Sequence, residues 1–353
     1  MVVDETKLHQ FVEKSLNEWG AALGTLLTFA GERLGLFKAM ARAGELSPEE
    51  LASKTGTHPR VTREWLAAEA AGGIVTYNPA TGKYALPEEH AVALTDENST
   101  AYVVGAYQFI AGLFKDEDKF INAFRTGKGL GWGDHHHYLF QGTERFFKPN
   151  YVANLTANWI PALDGVEARL KNDGGAKVAD VGCGHGTSTI LMARAYPNSK
   201  IIGFDFHEPS IESARKAAEK AGLKNVTFEL ARSTDYPGDD YDLVTFFDCF
   251  HDMGNPSGAA MHVLQSLKKR NGVWMLVEPF AGDKLEDNFT PMGRLSYCAS
   301  TMVCVPASLN ENGPALGAQA GEARIREIVM SAGFSKFRRA TQTPFNLIFE
   351  ARP

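Results

Sequence analysis

The chain has 353 residues, more than one ordinary core accommodates, so two domains are expected. Hydrophobic residues make up 44% and charged residues 22%, the balance of a folded globular protein; the net charge of −6 offers no general attraction for nucleic acid or an anionic membrane surface. No apolar run reaches the roughly 18 residues of a membrane span, Met1–Lys7 carries Asp4 and Glu5 where a signal peptide is basic and apolar, so a cytoplasmic location is expected, and Cys183, Cys249, Cys298 and Cys304 form no C-x-x-C pair that would indicate zinc or a disulfide framework.

Residues 8–40 are helical by pattern: Trp19, Leu23, Leu26, Leu27, Leu34, Leu36 and Phe37 recur near a 3.6 period. Glycines at 20, 24, 31 and 35 lower helix propensity but permit close packing, either within a core or against a partner chain. Residues 46–94 have the order of a winged helix-turn-helix. Ser47-Pro48-Glu49-Glu50 starts a helix with an N-cap serine, proline at N1 and acids at the positive end. A turn at 55–58 leads to a second helix, 59–71, expected to turn Val61, Trp65, Leu66 and Ala68 inward. A hairpin, 74–77 with 83–86, follows. That shape raises DNA binding. Its charge opposes it: Glu45, Glu49, Glu50, Glu64, Glu69, Glu88, Glu89 and Asp96 stand against Lys54, Arg60, Arg63 and Lys83, whereas a phosphate-binding face needs a surplus of bases.

Residues 99–125 read as helical and aromatic-rich, and 126–134 as a glycine-rich loop. The run His135-His136-His137-Tyr138 suggests a metal, but adjacent side chains diverge in helix and strand alike, so no metal site is expected; His136 and Tyr138 are instead candidates for an acceptor pocket. A helix is expected over 146–163, beginning after Lys148-Pro149.

The most informative stretch is KVADVGCGHGTSTILMARAYPNSKIIGFD, Lys177–Asp205. An apolar strand ends at Asp180, glycines at 182, 184 and 186 make a turn, a helix follows, and a second strand ends at Asp205, which together are one βαβ half of a nucleotide-binding fold. The dinucleotide fingerprint places its third glycine one position later. Asp180 would repel a pyrophosphate and suits a cationic amino group, while Asp205 stands where a ribose hydroxyl is accepted. An adenosine bearing an amino acid tail meets both demands, which points to S-adenosylmethionine; the competing reading is another nucleotide held by a degenerate loop.

Further strands are expected at 226–230, 241–247 and 273–277, and a closing hairpin at 334–341 and 345–350. The strand at 241–247 runs into Asp248-Cys249-Phe250-His251-Asp252, where ligands of open α/β sheets sit. His251, with an unperturbed pKa of about 6.5, is a candidate general base or else a turn-capping histidine. Residues 282–320 form an insertion in which Arg294, Tyr297 and Thr301 fall on one helical face, suited either to a ligand pocket or to dimer packing.

DVGCGHG at Asp180–Gly186 and GFD at Gly203–Asp205 resemble the class I S-adenosylmethionine-dependent methyltransferases. That resemblance implies a Rossmann-like α/β fold with a seven-stranded sheet, its last strand antiparallel. With a mainly helical winged-helix region in front, the chain is similar to plant-type small-molecule O-methyltransferases and their bacterial relatives. The implied layout is a dimerisation domain at 1–145, a cofactor-binding domain at 146–353 and a substrate insertion at about 282–320. His251-Asp252 resembles the family's His-Asp pair, making His251 the implied base with Glu278 orienting it, although Met253 replaces the usual tryptophan. The implied cofactor residues are Asp180, Gly182, Cys183, Gly184, Asp205, Phe206, Arg232, Ser233, Asp248 and Cys249. Ala231-Arg232 departs from the usual small-then-acid adenine pair. Asn154 and Asn158 are implied near the cofactor, and Trp159, His136, Tyr138, Arg294 and Tyr297 on the substrate side. The expected reaction is methyl transfer from S-adenosylmethionine, leaving S-adenosylhomocysteine, to a small-molecule hydroxyl within a homodimer, with neither nucleic acid nor membrane as partner. A thiol or nitrogen acceptor merely positioned by His251, a winged-helix regulator that senses the cofactor, and a non-catalytic dimer are the alternatives.

Overall fold

The computed structural model describes residues 3–172, 174–267 and 272–353. The chain divides into two compact units, one of residues 1–115 and 137–149, the other of residues 116–136 and 150–353.

In the first unit a long helix, Glu5–Arg33, starts at Asp4, whose side chain accepts from the amides of Thr6 and Lys7. Helix Pro48–Thr55 carries a complete capping box: Ser47 Oγ accepts from the Glu50 amide at 3.1 Å and Glu50 Oε2 from the Ser47 amide at 2.7 Å. Helix Pro59–Ala71 and an antiparallel hairpin of β1 (Thr76–Asn78) and β2 (Lys83–Ala85) complete the winged-helix pattern. Its core gathers Leu36, Phe37, Met40, Leu51, Trp65, Leu66 and Val75. Trp65 lies so close to Gly31 that a Cβ there would stand 2.4 Å from the indole, and its Nε1 donates to the Leu27 carbonyl.

Two expectations for this unit change. Val61 and Ala68 face outward, and Thr62 and Glu69 take the buried places. Trp65 and Leu66 set the inward face, and the positions stacked with both across a turn are 62 and 69. Thr28 Oγ1 donates to the buried Glu69 carboxylate. The long helix also leaves Phe11, Leu16, Trp19 and Leu23 more than half exposed, so its apolar stripe is not a core face along this length.

The helix expected after Pro149 begins earlier. It runs His137–Asn154 with Pro149 inside it, then passes through a π-helical turn, Leu155–Trp159, and a 3₁₀ turn, Ile160–Ala162. The region expected as one helix at 99–125 is two, Val104–Lys115 and Glu117–Thr126.

The second unit is a seven-stranded sheet of β3 (Lys177–Val181), β4 (Lys200–Asp205), β5 (Val226–Leu230), β6 (Leu243–Phe247), β7 (Val273–Pro279), β8 (Lys336–Gln342) and β9 (Asn346–Arg352). Their order is β5-β4-β3-β6-β7-β9-β8. The strands from β3 to β7 pair in parallel, and β9 runs antiparallel to both β7 and β8, as the resemblance implied. After β3 the chain builds outward through β4 and β5, then returns to place β6 on the other side of β3. That reversal opens a crevice at the carboxyl ends of β3, β4 and β6. β6 is buried at all five positions, as the apolar run LVTFF requires of a central parallel strand.

Candidate active site

The turn after β3 is shaped by backbone demands. Gly182 (φ 75°) packs against Cys249, where a Cβ would stand 2.7 Å from the sulfur. Gly184 (φ 53°) has open space where a Cβ would be, so its glycine answers to conformation and leaves bare main chain facing the crevice. The amides of Gly182 and Cys183 both donate to the Phe204 carbonyl, pinning the turn to the end of β4. Asp205 completes the clasp: Oδ2 accepts from the Gly184 amide at 2.9 Å and Oδ1 from the His207 amide at 2.8 Å. Burial raises its pKa, opposed by those two amides.

Asp180 has no exposed surface. Its Oδ2 accepts from Ser188 Oγ at 2.7 Å and Thr189 Oγ1 at 2.6 Å, and its Oδ1 from Thr245 Oγ1 at 3.0 Å. Burial lifts its pKa to about 6 against the pull of these hydroxyls. It therefore ties β3 to the following helix and to β6, and it does not face the crevice where a cationic ligand group would meet it. Cys183 is buried, and burial raises its thiol pKa well above the usual value. Phe206 is 47% exposed, with the Arg232 guanidinium 5.9 Å from its ring centre. Arg232 also pairs with Glu311 at 3.1 Å, and half-buried Ser233 follows it in the loop after β5.

The ends of β6 and β7 hold a different cluster. Asp248 adopts a left-handed conformation (φ 51°), uncommon for a residue with a Cβ. Its Oδ2 accepts from the Tyr151 hydroxyl at 3.0 Å and its Oδ1 from Asn346 Nδ2 at 2.7 Å. Burial, then the nearby Glu278 charge, pushes its pKa to about 7. Glu278 is buried; Oε1 accepts from the Phe250 amide at 3.0 Å, and Oε2 accepts from His251 Nδ1 at 2.7 Å. With Nδ1 committed to Glu278, Nε2 is the ring nitrogen that the carboxylate does not engage. Burial alone would lower the histidine pKa, but the Glu278 carboxylate and neighbouring Cys304 carry it well above the usual value. Asp252, beside them, rises to about 7 through burial, against the pull of His251. Cys249 Sγ donates to the Val181 carbonyl, and burial raises its pKa strongly.

Asp180, Gly182, Cys183, Gly184, Asp205, Phe206, Arg232 and Ser233 thus lie at or beneath one end of the crevice, and Asp248, Cys249, His251 and Glu278 at the other. Trp159 is fully buried, stacked on Phe247 with ring centres 6.4 Å apart and edge-on to Tyr151. It backs the Asp248 cluster as core, not as exposed pocket lining. Asn154 and Asn158 bond along their own helix, Asn154 to Asn150 and Asn158 to Asn154. The His136 amide donates to Asp116, whose carboxylate also holds buried His135 Nδ1 at 3.0 Å. Tyr138 lies in the other unit, edge-on to Phe29 and flanked by Arg33 and Lys115. Arg294 and Tyr297 share helix Pro291–Met302, as the spacing implied, with Arg294 exposed and Tyr297 half-buried. Among the described residues no three His, Cys, Asp or Glu side chains cluster as a metal site. Sequence reasoning missed Tyr151 and Asn346 as the partners of Asp248; the chain separations of 97 and 98 residues gave it no local signal.

Comparison with known proteins bears on the domains and the fold. Residues 172–321 match the methyltransferase domain family, and residues 21–96 match the Rv2258c-like winged HTH domain. Among characterised sequences, a probable (S)-tetrahydroprotoberberine N-methyltransferase 2 of Papaver bracteatum is 31% identical over 109 residues, which are 31% of this chain and 28% of that one. The ubiquinone biosynthesis O-methyltransferase of Actinobacillus pleuropneumoniae is 30% identical over 128 residues, covering 35% and 50%. The chain thus spans half or less of the length of these two relatives. Solved structures align over nearly the full length of both chains. A putative O-methyltransferase from Nostoc punctiforme has TM-score 0.68, 21% identity and 99% coverage of each chain. An O-methyltransferase family protein from Burkholderia thailandensis has TM-score 0.71 and 19% identity, covering 100% of this chain and 99% of its own. Human N-acetylserotonin methyltransferase, solved with S-adenosylmethionine, has TM-score 0.67 and 18% identity, with the same coverage. Residues 172–321 therefore form a methyltransferase domain and residues 21–96 a winged helix-turn-helix domain, on the fold of the S-adenosylmethionine-dependent methyltransferases.

Proposed function

We propose that this chain binds S-adenosylmethionine at the glycine turn and transfers its methyl group to a hydroxyl of a small-molecule acceptor. The observation that carries the reading is the buried His251–Glu278 pair, 2.7 Å apart, at the strand ends beside the turn. The turn fits the cofactor: Gly184 leaves main chain bare, and each Asp205 oxygen, holding one amide, keeps a lone pair for a ribose hydroxyl. When bound, the cofactor supplies a methyl group already activated on a sulfonium, so alignment contributes much of the rate. Glu278 holds Nδ1 and fixes the imidazole, and Nε2 of His251 takes the acceptor proton. Asp248, fastened by Tyr151 and Asn346, holds the strand end in place.

One observation favours a second reading. The Glu278 carboxylate raises the His251 pKa and so favours the imidazolium, which suits a ring that only positions a thiol or amine acceptor. A rate that climbs above neutral pH with a hydroxyl acceptor supports the base; a flat profile with thiols or amines supports positioning.

The winged-helix unit serves assembly in this reading. Arg60 and Arg63, the bases on its second helix, are paired with Glu64 and Glu49, which disfavours a role on DNA phosphates. The exposed stripe of Phe11, Leu16, Trp19 and Leu23 suits a second copy of the chain in a homodimer. Trp19→Glu combined with Leu23→Glu is expected to halve the particle mass in sedimentation equilibrium; an unchanged mass removes the stripe from the interface.

Calorimetric titration with S-adenosylhomocysteine tests the cofactor. Micromolar binding by the wild type, weakened tenfold or more by Asp205→Ala, is expected. A folded wild type that does not bind would sink the proposal.

A further inference from the structure

Two loops flank the crevice. In the order β5-β4-β3-β6, the ends of β5 and β6 stand three strand spacings apart, roughly 14 Å, with Asp205 and the glycine turn between them. Beyond β6, the Phe250–Asp252 turn packs against helix Cys304–Asn310. Ser308 Oγ donates to the Met253 carbonyl at 2.8 Å, and a Cβ on Gly313 would stand 2.6 Å from the Gly254 Cα. Glu311 follows this helix. Its Oε2 accepts from the Gly254 amide at 3.2 Å, which ties it to the loop after β6. Its Oε1 accepts at 3.1 Å from the guanidinium of Arg232, in the loop after β5. That loop is itself fixed by the Arg232 amide, which donates to Asp235 Oδ1 at 3.1 Å. Arg232 and Glu311 thus join the two sides of the crevice.

The pair stands over the end of β4. Phe206, next to Asp205, exposes its ring, and the Arg232 guanidinium lies 5.9 Å from the ring centre. A flat base laid between the two needs about 7 Å, twice the van der Waals contact distance, so the guanidinium has to lift to admit one. With the ribose at Asp205 and the methyl group at His251, as in the proposed reading, the base of the cofactor falls on the β5 side, at Phe206. We propose that Arg232 and Glu311 are positioning residues that form an electrostatic strap across the base end of the crevice, parting to admit S-adenosylmethionine and to release S-adenosylhomocysteine. The strap rests on the cofactor reading above. Both side chains are exposed, so the pair is weak enough to open and is screened by salt. Arg232 stands where the resembled family carries an acid, and the strap gives that departure a use.

The test is surface plasmon resonance of S-adenosylhomocysteine on the immobilised full-length protein, comparing the wild type with Arg232→Gln, Glu311→Gln and the double variant. A glutamine at 311 can still accept from the Gly254 amide, so the charge is lost and the tie to that loop is kept. Each single substitution is expected to raise both the association and the dissociation rate roughly two- to fivefold, the range an exposed ion pair supports. The double variant is expected to match the single ones. S-Adenosylhomocysteine carries no net charge at neutral pH, so salt acts on the strap: about 0.5 M sodium chloride is expected to speed wild-type exchange toward the variants and to leave theirs unchanged. A change at one position alone, additive effects in the double variant, faster dissociation without faster association, or rates that all stay at the wild-type value overturn the strap while cofactor binding stands. A folded wild type that binds no S-adenosylhomocysteine overturns the cofactor reading and the strap with it.

Discussion

The two ends of the crevice bury carboxylates in opposite ways. At the glycine turn, Asp180 and Asp205 are met by neutral donors: three hydroxyls for the first, two amides for the second. At the ends of β6 and β7, Asp248, Asp252 and Glu278 surround one imidazole, and their charges act on each other. Neutral donors fix a shape without committing a proton to move. A carboxylate–imidazole pair places a mobile proton at a defined atom. In the proposed reading the first end holds and the second reacts.

The strongest way to break this contrast is His251→Ala. With a hydroxyl acceptor, turnover is expected to fall by roughly 10² to 10⁴-fold, the usual worth of a positioned general base. Affinity for S-adenosylhomocysteine is expected to stay within about twofold, since the glycine turn is untouched. Steady-state kinetics paired with calorimetry separates the two, and unimpaired turnover would remove the base assignment.

Glu278→Gln sharpens the contrast by altering charge at nearly constant shape. The wild-type His251 pKa is raised, so the neutral base form grows only as pH climbs above the ordinary histidine range, and the rate should climb with it. Gln removes the carboxylate that favours the imidazolium. The rising limb should then move to lower pH, while the maximal rate falls about 10 to 100-fold as the ring loses its orienting partner. Asp248, Asp252 and Cys304 also face this group, so the shift is read against their unchanged presence. A limb that stays in place means that Glu278 does not govern the histidine.

Much of this layout was legible in the sequence because the relevant signals are local. The apolar runs at 177–181 and 243–247, the alternating glycines and the aspartate closing β4 each declare themselves within a few residues. His251 reads as a candidate just past the end of β6, and its pairing with Glu278 comes only from the family resemblance; the residues by themselves do not show it, because it depends on β6 and β7 lying side by side. The Tyr151–Asp248–Asn346 network is entirely tertiary and left no pattern to read. In the winged-helix unit, apolar identity misled: Val61 looks like core, but the helix phase set by Trp65 and Leu66 turns it out and buries Thr62 and Glu69. At Pro149 the break expected from local chemistry did not occur, because a proline costs a helix one hydrogen bond that the surrounding structure can offset.

Asp180 gives the finest test of the holding end. Its carboxylate has a pKa raised to about 6, above its ordinary 3.8, so the folded state retains the proton at pH values where the unfolded chain has lost it. Stability tied to this group is therefore full below the unfolded pKa and is lost as pH rises from about 4 through 6. Asp180→Asn removes that titration and can keep the bonding. Its amide oxygen can accept from Ser188 and Thr189, as Oδ2 does now. Its NH₂ can donate to Thr245 Oγ1, which can turn its own hydrogen toward the Ala179 carbonyl, 3.4 Å away. The variant is expected to match the wild type within about 0.5 kcal/mol near pH 4 and to exceed it by about 1–2 kcal/mol at pH 8, read from urea midpoints at each pH. A loss of stability at pH 8 would mean that the ionised carboxylate is needed at this end as well, and that the division between a neutral holding end and a charged reacting end is drawn in the wrong place.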